Sequence, residues 1–161
     1  MATLVRPWKQ VLAQRLPLLG HRNWIGVVDA AYPLQTPVGI ETVATQSDHL
    51  AVLMQVLNAL QHASHVRARV IMDGELGHLS EALAPGIDAL RTKLTKLFAD
   101  HTVTSVPHEK VIRKLDAASR LFHVLLLKTT LTLPYTSVFF ELDCGYWSDE
   151  SEKALRTSIS R

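Results

Sequence analysis

The sequence has 161 residues, of which 47% are hydrophobic and 20% charged, and its formal net charge at pH 7 is +2. This length and composition predict one globular domain with a sizeable core, and they exclude a disordered or fibrous chain. The charge is too small, and its lysines and arginines too scattered, to predict a nucleic-acid surface. No apolar run approaches the roughly 20 residues that cross a bilayer. From the charge we expect no nucleic acid as a partner, and from the short apolar runs we expect no membrane.

Cysteine usage and the N-terminal segment bear on the cellular compartment. Cys144 is the only cysteine, which excludes an intrachain disulfide and a cysteine-rich zinc site. Residues 1–14 are interrupted by Arg6, Pro7 and Lys9 and lack the apolar segment of a signal peptide. We therefore expect a cytoplasmic protein.

The first part of the chain alternates helical and extended patterns. Apolar residues recur at helical spacing over residues 4–18. Residues 24–28 form a short apolar run typical of a buried strand, and residues 38–44 are a second candidate strand. Residues 49–62 carry an apolar helical face behind Asp48, a favourable N-cap.

The alternation continues through the middle of the chain. Residues 66–72 alternate like a strand, and residues 79–98 have helical spacing interrupted at Pro85. Residues 102–106 are β-branched and predict a short strand. Residues 109–128 have helical spacing.

The end of the chain contains one ambiguous segment, one strand and a polar tail. Residues 121–127 fit a strand as well as the end of the preceding helix, and residues 136–142 predict the last strand. Residues 148–161 predict a surface helix or a loose tail. Strands that alternate with helices predict an α/β fold, a single layered domain with a largely parallel central sheet flanked by helices. That domain would span residues 1–147, followed by the polar tail.

A histidine and an aspartate flank the first predicted strand. Ligands in open α/β sheets bind at the carboxyl ends of strands, where Asp29 lies. His21 follows Gly20, which permits a sharp turn, and histidine is the side chain best suited to proton transfer near neutral pH. A purely structural interpretation is also open, in which Asp29 caps a turn and His21 is a surface loop residue.

Two further segments place polar side chains at predicted strand–loop junctions. His108 lies where a strand gives way to a helix, so it faces a ligand or simply begins the helix. Tyr135 and Ser137 enter the last strand, where their hydroxyl groups can form hydrogen bonds to a ligand. The structural alternative there is a turn begun by Pro134.

Together these segments resemble, in the same order, the D-ribose pyranase and L-fucose mutarotase family. The resemblance covers about residues 16–146, and its motifs are Gly20-His21, Asp29-Ala30-Ala31-Tyr32-Pro33, Thr45-Gln46, Met54-Gln55-Val56-Leu57, His108-Glu109 and Pro134-Tyr135.

The resemblance implies a cofactor-free enzyme that interconverts ring forms or anomers of a free monosaccharide. It implies that His21 is the proton donor. It also implies ring-shaped homo-oligomers, such as pentamers or decamers, with sites at subunit boundaries. The residues it implies as sugar-contacting are Asp29, His108, Tyr135, Thr136 and Ser137.

The chain departs from the family's pattern at three positions. Arg22 and Asn23 stand where the family has a small residue and an aspartate, and Ser137 stands where it has an asparagine. Asn23 can form a hydrogen bond but cannot favour a charged His21 as a carboxylate would. These departures keep open a non-catalytic sugar-binding or regulatory protein, and also a purely structural ring-forming protein.

The eight histidines do not form a recognisable metal-binding motif. His62 and His65 are three residues apart, but no carboxylate pair completes a ligand pattern with them. We therefore expect no metal. The remaining prediction is that five histidines are surface or capping residues: His49, His62, His65, His101 and His123.

Overall fold

The computed structural model describes residues 7–160, which form a six-stranded sheet with helices on both faces. The strands are β1 (Trp24–Val28), β2 (Ile40–Ala44), β3 (Val66–Asp73), β4 (Val103–Val106), β5 (Val124–Lys128) and β6 (Val138–Cys144). The helices are α1 (Trp8–Arg15), α2 (His49–Gln61), α3 (Ile87–Leu97), α4 (His108–Ser119) and α5 (Asp149–Ile159), with 3-10 turns at Leu16–Leu18 and Gly74–His78.

The sheet has the strand order β2-β5-β1-β6-β3-β4. β1 pairs in parallel with β5, β5 with β2, and β3 with β4, whereas β6 is antiparallel to both β1 and β3. The first five strands therefore point the same way and β6 points the opposite way. The carboxyl ends of β1–β5 and the start of β6 meet at one edge, which we call the carboxyl edge.

Two apolar cores separate the layers. Helices α1, α2 and α3 pack on one face of the sheet, over β1 residues Ile25 and Val27. Helix α4 packs on the other face through Val111 and Leu115. The alternation of side chains along β1 thus sends its residues into both cores, which explains why that strand is apolar throughout.

The predicted α/β fold is confirmed, and most predicted elements lie where their patterns indicated. The strand over residues 24–28 has those bounds, and Asp48 caps α2 by accepting a hydrogen bond from the Ala51 amide. The sheet is mixed because β6 is antiparallel to both neighbours. Among the described residues, no helix has the length and apolar content needed to cross a membrane.

Two helix predictions were too long. The helix predicted over residues 109–128 ends at Ser119, and residues 124–128 form β5, so the strand interpretation of that apolar run was correct. Residues 79–86 form turns rather than helix, and α3 begins only after Gly86, which has a left-handed φ of 98°. The helix predicted from residue 4 is observed from Trp8, and residues 4–6 lie outside the described part.

The polar tail forms a helix rather than a loose segment. Ser148 caps α5 by accepting a hydrogen bond from the Ser151 amide. Asp149 joins the helix to the sheet, since its carboxylate lies 3.0 Å from the guanidinium of Arg67 in β3. The division into a domain over residues 1–147 and a tail stays a prediction.

Gly39, which precedes β2, is closely covered by the end of α4. A Cβ atom at this position would collide with the backbone carbonyl oxygen of Ser119 and lie 3.1 Å from that of Phe122. We expect Gly39→Ala to lower the free energy of unfolding by about 1–3 kcal/mol, measured by urea denaturation, because backbone must move. Gly77→Ala is the matched control, since nothing lies within 4 Å of its added Cβ; an equal loss in both variants would contradict the steric explanation.

Candidate active site

The carboxyl edge gathers polar side chains from several strands. Asp29 follows β1, Asp73 ends β3, His108 follows β4, and Ser137 precedes β6. Because five strands end here and the sixth begins here, residues distant in sequence become neighbours. This is the position where open α/β sheets bind ligands.

Asp73 and His108 form a buried pair at this edge. The Asp73 side chain is 1% exposed, and its Oδ2 lies 3.0 Å from Nδ1 of His108, which is 29% exposed. A carboxylate accepts, so the Nδ1–H of His108 donates. Burial raises the pKa of Asp73 above its ordinary value, and the nearby carboxylates of Glu75 and Asp29 add to this rise. The bond to His108 lowers the pKa, but by less than the rise.

Glu75 fixes the start of the helix that carries His108. Pro107, at the N-cap of α4, supplies no side-chain cap. The Glu75 carboxylate instead accepts from the His108 backbone amide, with its two oxygens 3.0 and 3.2 Å away. A negative group at a helix N-terminus is favourable because it satisfies a free amide and complements the helix dipole.

Tyr135 lies against His108 and borders a cavity. Its ring meets the imidazole edge-to-face, with the centroids 5.6 Å apart. The residue has a φ of 56°, a left-handed backbone conformation unfavourable for a tyrosine and often found at functional sites. The cavity measures about 450 Å³ and is lined by Gly74, Glu75, His78, Leu79, Pro107 and Tyr135.

Asp29 and the residues that enter β6 complete the edge. The Ser137 hydroxyl donates to Oδ1 of Asp29 at 3.3 Å, and Oδ2 accepts from the Ala31 amide at 3.2 Å. Asp29 therefore caps the turn after β1, as its structural interpretation held. Its carboxylate is also near enough to Asp73 to raise the pKa of that residue. Thr136 is buried, and its hydroxyl donates to the carbonyl of Leu133.

His21 lies at the opposite edge of the sheet, beside the end of β6. Its loop joins β6 through hydrogen bonds from the Arg22 amide to the Leu142 carbonyl and from the Leu142 amide to the Asn23 carbonyl. This pairing places His21 Nδ1 2.7 Å from Oδ1 of Asp143. The imidazole remains 59% exposed while the Asp143 side chain is 14% exposed.

Asp143 is held ionised by its surroundings. Its Oδ2 lies 2.9 Å from the Arg67 guanidinium and 3.1 Å from that of Arg69. Partial burial raises the pKa of Asp143, but the Cys144 amide, Arg67 and His21 together lower it below its ordinary value. An ionised carboxylate accepts the Nδ1–H of His21, and no hydrogen-bond partner of its Nε2 is found within residues 7–160.

The structure thus brings together five of the six predicted site residues and separates the sixth. Asp29, His108, Tyr135, Thr136 and Ser137 lie at the carboxyl edge. His21 precedes β1 and Asp29 follows it, so a five-residue strand of roughly 17 Å lies between them.

Sequence reasoning missed three acidic partners at the two edges, namely Asp73, Glu75 and Asp143. Asp73 carried a usable signal, since it ends a predicted strand as Asp29 does. The pairing of His21 with Asp143 joins residues 122 positions apart, and nothing in the local sequence indicates it.

His49 corrects one prediction, because it is buried rather than at the surface. Its Nε2 donates to the Thr136 carbonyl at 2.8 Å, and Nδ1 lies 2.9 Å from the Thr129 hydroxyl. Burial lowers the pKa of His49. The neutral ring therefore holds the segment that enters β6 against α2.

This burial predicts a loss of stability in mild acid. A folded-state pKa below the unfolded value of about 6.5 means that protons bind preferentially to the unfolded chain as pH falls below about 6.5. We expect the free energy of unfolding, measured in urea, to fall between about pH 7.5 and about pH 5.5, and to fall less in His49→Gln. His62→Gln, at an exposed site, should keep the wild-type pH dependence; an unchanged dependence in His49→Gln would assign the effect elsewhere.

No group of three histidine, cysteine, aspartate or glutamate side chains within residues 7–160 has a geometry that could hold a metal ion. The carboxyl edge is instead a hydrogen-bonding site beside a cavity. Its carboxylates and imidazole suit the binding of hydroxyl groups and proton transfer.

Comparison with known proteins shows that this α/β architecture is shared with solved structures. RbsD of Bacillus subtilis complexed with D-ribose has a TM-score of 0.55 and 21% identity, over 86% of this chain and 93% of that chain. The fucose mutarotase of Streptococcus pneumoniae in complex with L-fucose has a TM-score of 0.57 and 14% identity, over 92% of this chain and 100% of that chain. No family model and no curated protein sequence matches the chain. The resemblance predicted from the sequence is therefore confirmed as a shared fold.

Proposed function

We propose that this protein is a cofactor-free pyranase or mutarotase that interconverts ring forms or anomers of a free monosaccharide. The observation that carries this proposal is the cluster of Asp29, His108 and Tyr135 beside a cavity of about 450 Å³. That volume lies in the range of small-molecule sites. The two structures of the same fold hold D-ribose and L-fucose, which supports a free sugar as the ligand.

The proposed reaction requires only proton transfers once the sugar is bound. Opening a cyclic hemiacetal requires that the anomeric hydroxyl lose a proton and the ring oxygen gain one. We assign His21 as the proton donor to the ring oxygen. Asp29, His108, Tyr135, Thr136 and Ser137 contact the sugar. Thr136 contributes its backbone amide, because its hydroxyl donates to the Leu133 carbonyl and its own carbonyl accepts from His49.

Asp143 supports the role of His21. The sequence lacks the family's aspartate two residues after the histidine and has Asn23 there, whose side chain accepts from the Gly20 amide and donates to the His123 carbonyl. The carboxylate that orients His21 comes from β6 instead, at 2.7 Å. The departure at Asn23 is thereby compensated from another strand.

The proposal requires a site shared between subunits. His21 and Asp29 stand at opposite ends of β1, so one chain does not place both on one sugar. A ring-shaped homo-oligomer, a pentamer or decamer, in which the His21 edge of one subunit meets the carboxyl edge of the next would complete each site. A ring of this kind in the cytoplasm is the assembly we propose.

The test is magnetisation-exchange NMR on D-ribose, L-fucose and other free monosaccharides at neutral pH, with and without the protein. Faster exchange between ring forms for one sugar is the expected result and identifies the substrate. Solvent-rate exchange for every sugar, with a folded protein, would refute the enzyme.

A non-catalytic sugar-binding or regulatory protein is the second candidate. It is favoured by Arg22, which has a left-handed φ of 73° and stacks on Phe122 beside His21, and by Ser137 in place of an asparagine. Calorimetric binding of a sugar without any acceleration of its ring exchange would establish this alternative.

A further inference from the structure

We propose that His108, oriented by the buried carboxylate of Asp73, is the second proton-transfer group of the site rather than only a contact for a sugar hydroxyl. This inference rests on the proposed function and adds to it a catalytic residue and its positioning partner. Asp73 is not among the residues assigned above to contact the sugar.

The burial of Asp73 is unfavourable for the stability of the fold. Its side chain is 1% exposed, and within the described chain its Oδ1 has no hydrogen-bond partner. An ionisable group that is buried with one unsatisfied oxygen destabilises a fold unless something compensates. The compensation visible here is its single strong contact, the 3.0 Å bond from Nδ1 of His108.

His108 is fixed from three directions. Asp73 accepts from its Nδ1, Glu75 accepts from its backbone amide, and Tyr135 packs edge-to-face on its ring. In residues 7–160, no hydrogen-bond partner of its Nε2 is found. In its neutral form, a ring held by Nδ1–H in this way has an unprotonated Nε2, which is the arrangement of a general base oriented by a carboxylate.

The same arrangement occurs at the other edge of the sheet. His21 donates its Nδ1–H to Asp143, as His108 does to Asp73. One chain therefore carries two histidine–carboxylate pairs at opposite ends of its strands. When the two edges meet between subunits, one pair comes from each, and together they supply the acid and the base that ring opening needs.

The proton movements balance. Nε2 of His108 takes the proton of the anomeric hydroxyl, the electrons of that O–H bond form the carbonyl, and the bond from the anomeric carbon to the ring oxygen breaks. The ring oxygen takes the Nε2 proton of a doubly protonated His21 of the neighbouring subunit, whose Nδ1–H stays bonded to Asp143. Closure on either face of the carbonyl returns both protons, so no other reactant is consumed.

The role of Asp73 is tested first in the wild type and then in Asp73→Asn, by two-dimensional ¹H–¹⁵N NMR of the histidine ring nitrogens. We expect His108 to be in the Nδ1–H tautomer in the wild type and to shift toward Nε2–H in Asp73→Asn, whose amide can donate to Nδ1. A wild-type His108 in the Nε2–H tautomer would overturn the proposal, even if Asp73→Asn fails to fold.

Kinetics separate a catalytic His108 from a sugar-contacting one. On the accelerated sugar, Asp73→Asn should lower kcat roughly 10- to 100-fold and His108→Ala roughly 10²- to 10⁴-fold, both with little change in KM. The control Asp88→Asn, at an exposed acid paired with Arg91 on α3, should match the wild type. A raised KM with unchanged kcat would leave His108 as a contact only, and a wild type that accelerates no sugar would instead refute the proposed function.

Discussion

His21→Ala is expected to reduce the ring-exchange rate by roughly 10²- to 10⁴-fold, the contribution of a single general acid. The fold should persist, because the imidazole is 59% exposed and lies in a loop. Its loss frees Asp143, but Arg67 and Arg69 still neutralise that carboxylate. The measurement is the exchange rate by magnetisation-transfer NMR, with the melting temperature as the check on folding.

Two further variants test the orientation of His21 and provide a control. Asp143→Asn keeps His21 but removes the charge that orients it, so an intermediate loss of rate is expected. His62→Ala removes an exposed histidine that directly follows α2 and whose Nδ1 contacts only the Asn58 carbonyl among described residues, and its rate should equal that of the wild type. Full activity in His21→Ala would remove this residue from the mechanism.

Mixed oligomers should recover activity that neither parent variant has. His21→Ala damages one edge of the subunit and Asp29→Asn the other, so each homo-oligomer lacks one half of every shared site. After the two are refolded together in equal amounts, about one quarter of the boundaries would join an intact His21 to an intact Asp29. The expected rate is therefore about one quarter of the wild-type rate.

The control for this experiment uses two variants with the same damaged edge. Asp29 and His108 both lie at the carboxyl edge, so mixing Asp29→Asn with His108→Ala should give no recovery. Light scattering establishes that the proteins assemble. Co-assembly without recovery in the His21→Ala and Asp29→Asn mixture would show that the site is not shared between neighbours.

The sequence predicts the bounds of a strand well where a short apolar run coincides with a strand buried on both faces. β1 is apolar at every position because it lies between two cores, and its bounds follow directly from that run. The run at residues 121–127 is ambiguous for the same reason, since a buried strand has no alternation to distinguish it from a helix. Its assignment as β5 depends on pairing with β1 and β2.

The candidate site was predictable only in part. Asp29 and His108 are recognisable because each follows a strand, which is a local property of the chain. The partners of the two histidines are not local: Asp73 is 35 positions from His108, and Asp143 is 122 from His21. Which carboxylate meets which imidazole depends on strand order, and one sequence pattern is compatible with several orders.

The strand order also has a consequence for synthesis on the ribosome. β1 pairs only with β5 and β6, the last two strands to be made. Until residues 124–144 leave the exit tunnel, the apolar segment Trp24–Val28 has no neighbouring strand to pair with its backbone. Folding must therefore wait for long-range contacts, which makes it slow and leaves the nascent chain prone to aggregation. We expect fragments that end before β5 to require a chaperone to stay in solution.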